Sequence, residues 1–179
     1  MARALELSYL ISKNGASKIG AELGVANGST LFHLLDHHPE LQVIAVDSYK
    51  ASQGTGNKKS TGYCPYEQSL QNQVRALVER KANTYGGRCR LIVEDTTLAA
   101  ESVKDGVLDF IFIDADHRTS FVRSDIAVWT PKVRVGGMIA GHDWAFPSVR
   151  KVLDALYGPF WNKRKDIWYV FNGGTQTDV

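Results

Sequence analysis

The ionisable groups of this 179-residue chain that are best suited to chemistry crowd two short stretches, Asp114-Ala115-Asp116-His117 and His142-Asp143. Each follows an apolar run, Leu108-Asp109-Phe110-Ile111-Phe112-Ile113 before the first and Met138-Ile139-Ala140-Gly141 before the second. An imidazole titrates near neutrality and so suits proton removal. Carboxylates beside an imidazole also match a divalent cation that grips adjacent oxygens, lowers the pKa of a hydroxyl and holds it in place. The plainer alternative is that Asp114 and Asp143 only cap the segments that follow and hydrogen-bond a cofactor, with His117 facing water at a helix start.

A third stretch, Glu22-Leu23-Gly24-Val25-Ala26-Asn27-Gly28-Ser29-Thr30, closes another apolar run and opens a helix marked by Leu31, Phe32, Leu34 and Leu35. Glycines here let the backbone turn tightly and let a bound molecule lie against it, while the free N–H groups of the helix start favour an acidic group. The pattern E-x-G-x-x-x-G-x-T lacks the three-glycine turn of a pyrophosphate-binding dinucleotide site. An acid before the turn suits a positive charge on the ligand, and Ser29 with Thr30 suits a carboxylate; S-adenosylmethionine carries both. A structural strand-to-helix corner is the competing reading.

Elements that would position these groups alternate along the chain. An amphipathic helix over 3–14 precedes a strand over 18–23 and a helix over 28–37. A second strand, 41–47, ends at Asp47, at the offset where an acid can accept hydrogen bonds from a ribose. Residues 48–66 are polar, small and glycine-rich, and read as a substrate loop, with Tyr49, Tyr63 and Tyr66 as flat contacts. A helix follows from Glu67 to about Tyr85, with Leu70, Val74, Leu77 and Val78 on one face, and then a strand over 90–95. There Asp95 or Glu94 suits an adenine amino group or a helix cap. The strand at 108–113 is the most apolar and belongs at the centre of the sheet. A helix over 119–130, a fifth strand from Met138, a helix over 147–157 and a closing strand over 166–171 complete the alternation. It predicts an α/β, doubly wound, mostly parallel Rossmann-like sheet with helices on both faces, ligands lying beyond the carboxyl ends of its strands.

Length and composition suit one domain over residues 1–179 that buries a core without metal or disulfide support. The net charge of +2 is dispersed, with basic clusters as short as Lys58-Lys59 and Lys163-Arg164-Lys165, which argues against a nucleic-acid partner. Cys64 and Cys89 have no CxxC spacing, which fits a reducing cytosol. With no signal peptide and no run near ~20 apolar residues, a cytoplasmic protein away from membranes is expected.

Glu22-Leu23-Gly24 with Gly28, Val46-Asp47, Phe112 to His117 and Gly136 to Asp143 together resemble the class I S-adenosylmethionine-dependent methyltransferases. Within them the chain is most similar to small-molecule O-methyltransferases related to catechol O-methyltransferase and the macrolide-sugar methyltransferases. The resemblance implies a cofactor site made of Glu22, Gly24, Ala26, Asn27, Gly28, Ser29, Thr30, Asp47, Ser48, Asp95, Thr96 and Asp114. It implies a divalent cation, magnesium or manganese, on Asp114, Asp143 and His142, with His117 as general base. His142 stands where relatives have a carboxylate, and a nitrogen ligand fits Mg²⁺ less well than Mn²⁺, Fe²⁺ or Zn²⁺; a second base or a substrate contact is its other reading. The acceptor would be a small molecule or sugar, and Trp144, Phe146, Phe160 and Trp161 would line its pocket or a contact between subunits. Two other functions fit the same sheet: a nicotinamide-dependent dehydrogenase and a non-catalytic cofactor-binding protein.

Overall fold

The computed structural model describes residues 2–16, 18–51 and 67–173. Most of the expected substrate loop, from Ser52 to Tyr66, lies outside them. The elements run α1 (Ala2–Lys13), β1 (Ile19–Leu23), α2 (Ser29–His37), β2 (Gln42–Val46), α3 (Gln68–Asn83), β3 (Cys89–Ile92) and α4 (Thr96–Ala99), then β4 (Leu108–Ile113), α5 (Thr119–Trp129), β5 (Val133–Gly141), α6 (Pro147–Tyr157), β6 (Asn162–Arg164) and β7 (Ile167–Phe171).

Seven strands form one sheet in the order β3-β2-β1-β4-β5-β7-β6. The first five are parallel, while β7 runs antiparallel to β5 and β6 antiparallel to β7. Alternation along β4 shows why this strand is central: Phe110 and Phe112 face one core with Leu7, Leu31 and Leu35, whereas Ile111 and Ile113 face the other with Trp129, Val152 and Trp168. A strand buried on both faces needs apolar residues at every position but its ends. Sequential strands proceed outward from β1 through β2 to β3, and the chain then returns to place β4 on the other side of β1. This reversal opens a crevice beyond the carboxyl ends of β1 and β4, where α/β sheets bind ligands.

Four local readings change. On α3 the buried positions are Gln71, Val78 and Ala82, while Leu70 and Leu77 are exposed; the packed face is rotated from the one that the leucines mark. Tyr49 is 2% exposed and part of the core, not a contact offered to a ligand. β5 begins at Val133 and passes through Gly136-Gly137, with a register shift against β4 between Leu108 and Phe110. The glycines resemble a loop because a Cβ on Gly137 would come within 2.8 Å of the Asp109 carbonyl oxygen: they mark a close approach of two strands. Lastly, β7 is the second arm of a hairpin whose first arm, β6, carries the basic cluster and has no apolar periodicity to announce it.

Candidate active site

The glycine turn sits at the β1–β4 crevice. Leu23 O accepts the Asp114 N–H at 2.8 Å, and Val46 O accepts the Gly24 N–H at 2.8 Å. Gly24 has φ +89°, and a Cβ there would stand 2.3 Å from the Asp114 carbonyl oxygen. Glycine is therefore demanded by the chain's own β4 end, whatever else lies against the turn. Gly28, at φ +75°, precedes the first turn of α2, and the Asn27 side-chain oxygen accepts the Ser29 N–H at 3.1 Å.

Asp47 holds this turn directly. Its Oδ2 accepts the Val25 and Ala26 N–H groups at 2.9 and 2.8 Å, and its Oδ1 accepts that of Tyr49 at 2.8 Å. The neighbouring Ser48 hydroxyl accepts the Lys50 N–H at 3.3 Å. Asp95 caps α4, accepting from the Thr97 N–H at 2.9 Å and hydroxyl at 2.6 Å, while Glu94 is exposed. Next to it is a residue that sequence inspection missed: Asp125 of α5, 1% exposed, accepts the Thr96 hydroxyl at 2.6 Å. Trp129 Nε1 donates to Thr96 O at 2.8 Å, so α5 clamps this corner from below. Burial pushes the Asp125 carboxyl up to about 6. An acid inside a helix that otherwise reads as amphipathic was its only signal.

Asp114, His117, His142 and Asp143 meet at the rim. His117 Nε2 is 2.9 Å from Asp143 Oδ2 and 3.8 Å from Asp114 Oδ1. His142 Nδ1 is 3.0 Å and 3.6 Å from the same two oxygens. Both ring nitrogens are buried, and neither makes an aligned hydrogen bond among the described residues. Asp114 and then Asp143 raise the His117 ring to about 9. Burial opposes ionisation of Asp143, yet His117 and His142 hold its carboxyl well below the usual range. Asp143 has φ +59°, a left-handed conformation that Asp tolerates better than most residues and that here aims its carboxylate back at the imidazoles. Asp116 turns away to pair with Arg118 at 2.6 Å.

Two donors that share an ion at about 2.1 Å lie roughly 3.0–3.4 Å apart. The spacings here bracket that range, and one donor atom each from Asp114, His117 and Asp143 lie within 4.8 Å of one another. The set fits a small divalent cation, with His117 at least as well placed for it as His142.

Towards the cradle, Glu22 is 1% exposed and its Oε2 has no hydrogen-bond partner among the described residues. Burial, and then the Asp114 charge, push its carboxyl well above the usual range. Arg3, another residue without a signal in the sequence, crosses from α1 to pair with Asp114 Oδ2 and to donate to the Thr30 hydroxyl at 3.1 Å. With Asp47 and Asp114 beside the buried Glu22, the cradle presents acidic groups that suit a cationic ligand.

Aromatic side chains edge the rim: Phe146 is tilted over His117 with ring centroids 5.4 Å apart, and Trp144 packs against Trp161 at 6.0 Å. Phe146 and Phe160 are exposed. His33, His37 and His38 lie at α2 and its end, away from this cluster, with His38 Nε2 2.7 Å from the Ser8 hydroxyl. Among the described residues no helix is long and apolar enough to cross a membrane.

A family model described as a methyltransferase domain matches residues 21–144. No protein of curated function matches the sequence. Among solved structures, the fold is similar to that of CalS11, a calicheamicin methyltransferase (TM-score 0.67, 13% identity, 97% of this chain and 80% of that one). It is also similar to a Staphylococcus aureus protein provisionally assigned as a caffeoyl-CoA O-methyltransferase (TM-score 0.66, 18% identity, 97% and 84%). The O-methyltransferase NovP is a third (TM-score 0.59, 16% identity, 96% and 78%).

Proposed function

From the premise that the chain belongs to the methyltransferase-domain family, we propose that it transfers the methyl group of S-adenosylmethionine to a hydroxyl of a small molecule or sugar. The observation that carries this reading is the close approach of Gly24 to Asp114, which makes the cradle and the acid–imidazole rim two sides of one crevice. The family match removes the dehydrogenase alternative.

When bound, the cofactor supplies a methyl group made electrophilic by a sulfonium. Thr30, Ser29 and the start of α2 would receive its carboxylate, Asp114 and Glu22 its positive charge, Asp47 and Ser48 its ribose side, and Asp95 with Thr96 its adenine. A divalent cation held by Asp114, Asp143 and an imidazole would add Lewis-acid polarisation of the acceptor oxygens. The rim residues orient the acceptor in line with the methyl group, and alignment of this kind is worth up to ~7–11 kcal/mol. Asp114 and then Asp143 keep the His117 ring protonated at neutral pH. Were a cation held by Asp114, Asp143 and His142, its charge would weaken that pull and leave His117 Nε2 free to take the acceptor's proton. The acceptors named for CalS11 and for the Staphylococcus aureus protein, a TDP-rhamnose and a caffeoyl thioester, support a hydroxyl as the target. A cytoplasmic enzyme, either single or self-associated, is consistent with this use.

The test is thermal denaturation with S-adenosylhomocysteine or NAD, followed by methyl-transfer assays over hydroxyl and amine acceptors. Stabilisation by S-adenosylhomocysteine alone and transfer to oxygen are expected. In His117→Ala, turnover should fall on the order of 10²–10⁴-fold with cofactor affinity kept. Transfer only to nitrogen, or full turnover without His117, overturns the reading.

A further inference from the structure

Arg3 lies in the first turn of α1, 111 residues from Asp114 in sequence, yet its guanidinium spans the mouth of the cradle. One end pairs with Asp114 Oδ2, and Nε donates to the Thr30 hydroxyl at 3.1 Å. The Asp114 carboxylate is thereby divided: Oδ1 faces His117 and His142 at 3.8 and 3.6 Å, while Oδ2 faces the cradle. Thr30 is 2% exposed and stands in the first turn of α2.

An α-amino-acid group needs an acid for its ammonium and donors for its carboxylate. Asp114 Oδ2 provides the acid. The Thr30 hydroxyl and the N–H groups at the start of α2 provide donors, and Arg3 already touches both positions. A guanidinium is a planar, permanently charged fork that matches a carboxylate with two parallel hydrogen bonds. When an ammonium takes over Asp114, Arg3 is released from it beside Thr30, where the carboxylate of the same ligand lies.

We propose that Arg3 is the specificity-determining residue that recognises the carboxylate of the cofactor's amino-acid end, so that α1 selects a donor with that end intact over a decarboxylated one. The inference rests on the S-adenosylmethionine reading above. Arg3 exchanges an internal partner, Asp114, for a ligand partner of the same charge. The cradle is thus kept electrostatically balanced both with and without ligand.

Isothermal titration of the full chain with S-adenosylhomocysteine and with its decarboxylated analogue, which keeps the ammonium, tests this without turnover. The wild type should prefer the carboxylate-bearing ligand by on the order of 10–100-fold, the range of a charge-assisted pair. Arg3→Gln should erase most of that preference, with the loss falling on S-adenosylhomocysteine rather than on the decarboxylated analogue. Arg3→Lys, which keeps the charge but not the fork, should recover part of it, and it guards against a fold defect in the glutamine variant. A wild type without preference, or a ratio unchanged in Arg3→Gln, overturns the inference and leaves the cofactor reading intact. Tighter binding of S-adenosylhomocysteine by Arg3→Gln also overturns it, because Arg3 would then be a competitor for Asp114. Failure of the wild type to bind either ligand overturns the cofactor reading itself.

Discussion

At Gly24 a single missing Cβ keeps two strand ends together. With φ +89° and only 2.3 Å to the Asp114 carbonyl oxygen, Gly24→Val strains the backbone and drives β1 from β4, so the loss is expected in the fold as well as in binding. Thermal or urea denaturation should show a loss on the order of 2–4 kcal/mol together with lost cofactor affinity; an unchanged melting curve would refute the close approach. Asp125 predicts a pH effect. Burial raises its carboxyl to about 6 in the folded chain, against about 4 when unfolded. The native state therefore holds a proton that the unfolded state has released, and this contribution to stability is present at low pH and lost as pH rises from about 4 to 6. Asp125→Asn can still accept the Thr96 hydroxyl. It should gain about 1–3 kcal/mol at pH 7 and lose that pH dependence. Urea titrations at pH 4.5 and 7 check this, and a variant less stable at pH 7 would contradict it.

Among elements, β5 delivers half of the rim and pairs with β7. Gly141 ends β5 next to Trp168 of β7, and a Cβ on Gly141 would lie 2.6 Å from the indole. Gly141→Ala should displace the buried Trp168 at a cost of about 1–3 kcal/mol and shift His142 and Asp143, which follow directly. Near-ultraviolet circular dichroism and turnover should change together; an unaltered tryptophan signal would show that the strand absorbs the methyl group. Periodicity made β1, β2, β4 and α6 legible, because an apolar run or a stripe facing a core shows itself without knowledge of the partner. It misled at α3, where Leu70 and Leu77 are exposed, and at Gly136-Gly137, where a close strand approach mimics a loop. Nothing local revealed β6, whose Asn162-Lys163-Arg164 is a strand only because β7 pairs with it.

For the molecule as a whole, the order β3-β2-β1-β4-β5 determines where chemistry occurs, since the reversal beside β1 puts the cradle and the rim on the same side of the sheet. The cluster of Asp114, His117 and Asp143 predicts metal-linked stability. Mn²⁺ should raise the melting temperature of the wild type, with ~2.7 kcal/mol added at a hundredfold excess over Kd, and Asp114→Asn with Asp143→Asn should abolish the response. Equal Mn²⁺ stabilisation of that double variant would place the ion elsewhere.

Type and spacing of residues were enough for the sheet, the glycine turn and the acids and imidazoles at strand ends, because strand-end chemistry is written in consecutive residues beside an apolar run. Tertiary structure alone decided three roles: that Asp47 binds the turn's own N–H groups, that Asp125 supports Thr96 from a buried helix, and that Arg3 from α1 spans Thr30 and Asp114. These contacts join residues 21 to 111 positions apart. Their strength depends on distance in space and on burial, and neither quantity is carried by the order of neighbours along the chain.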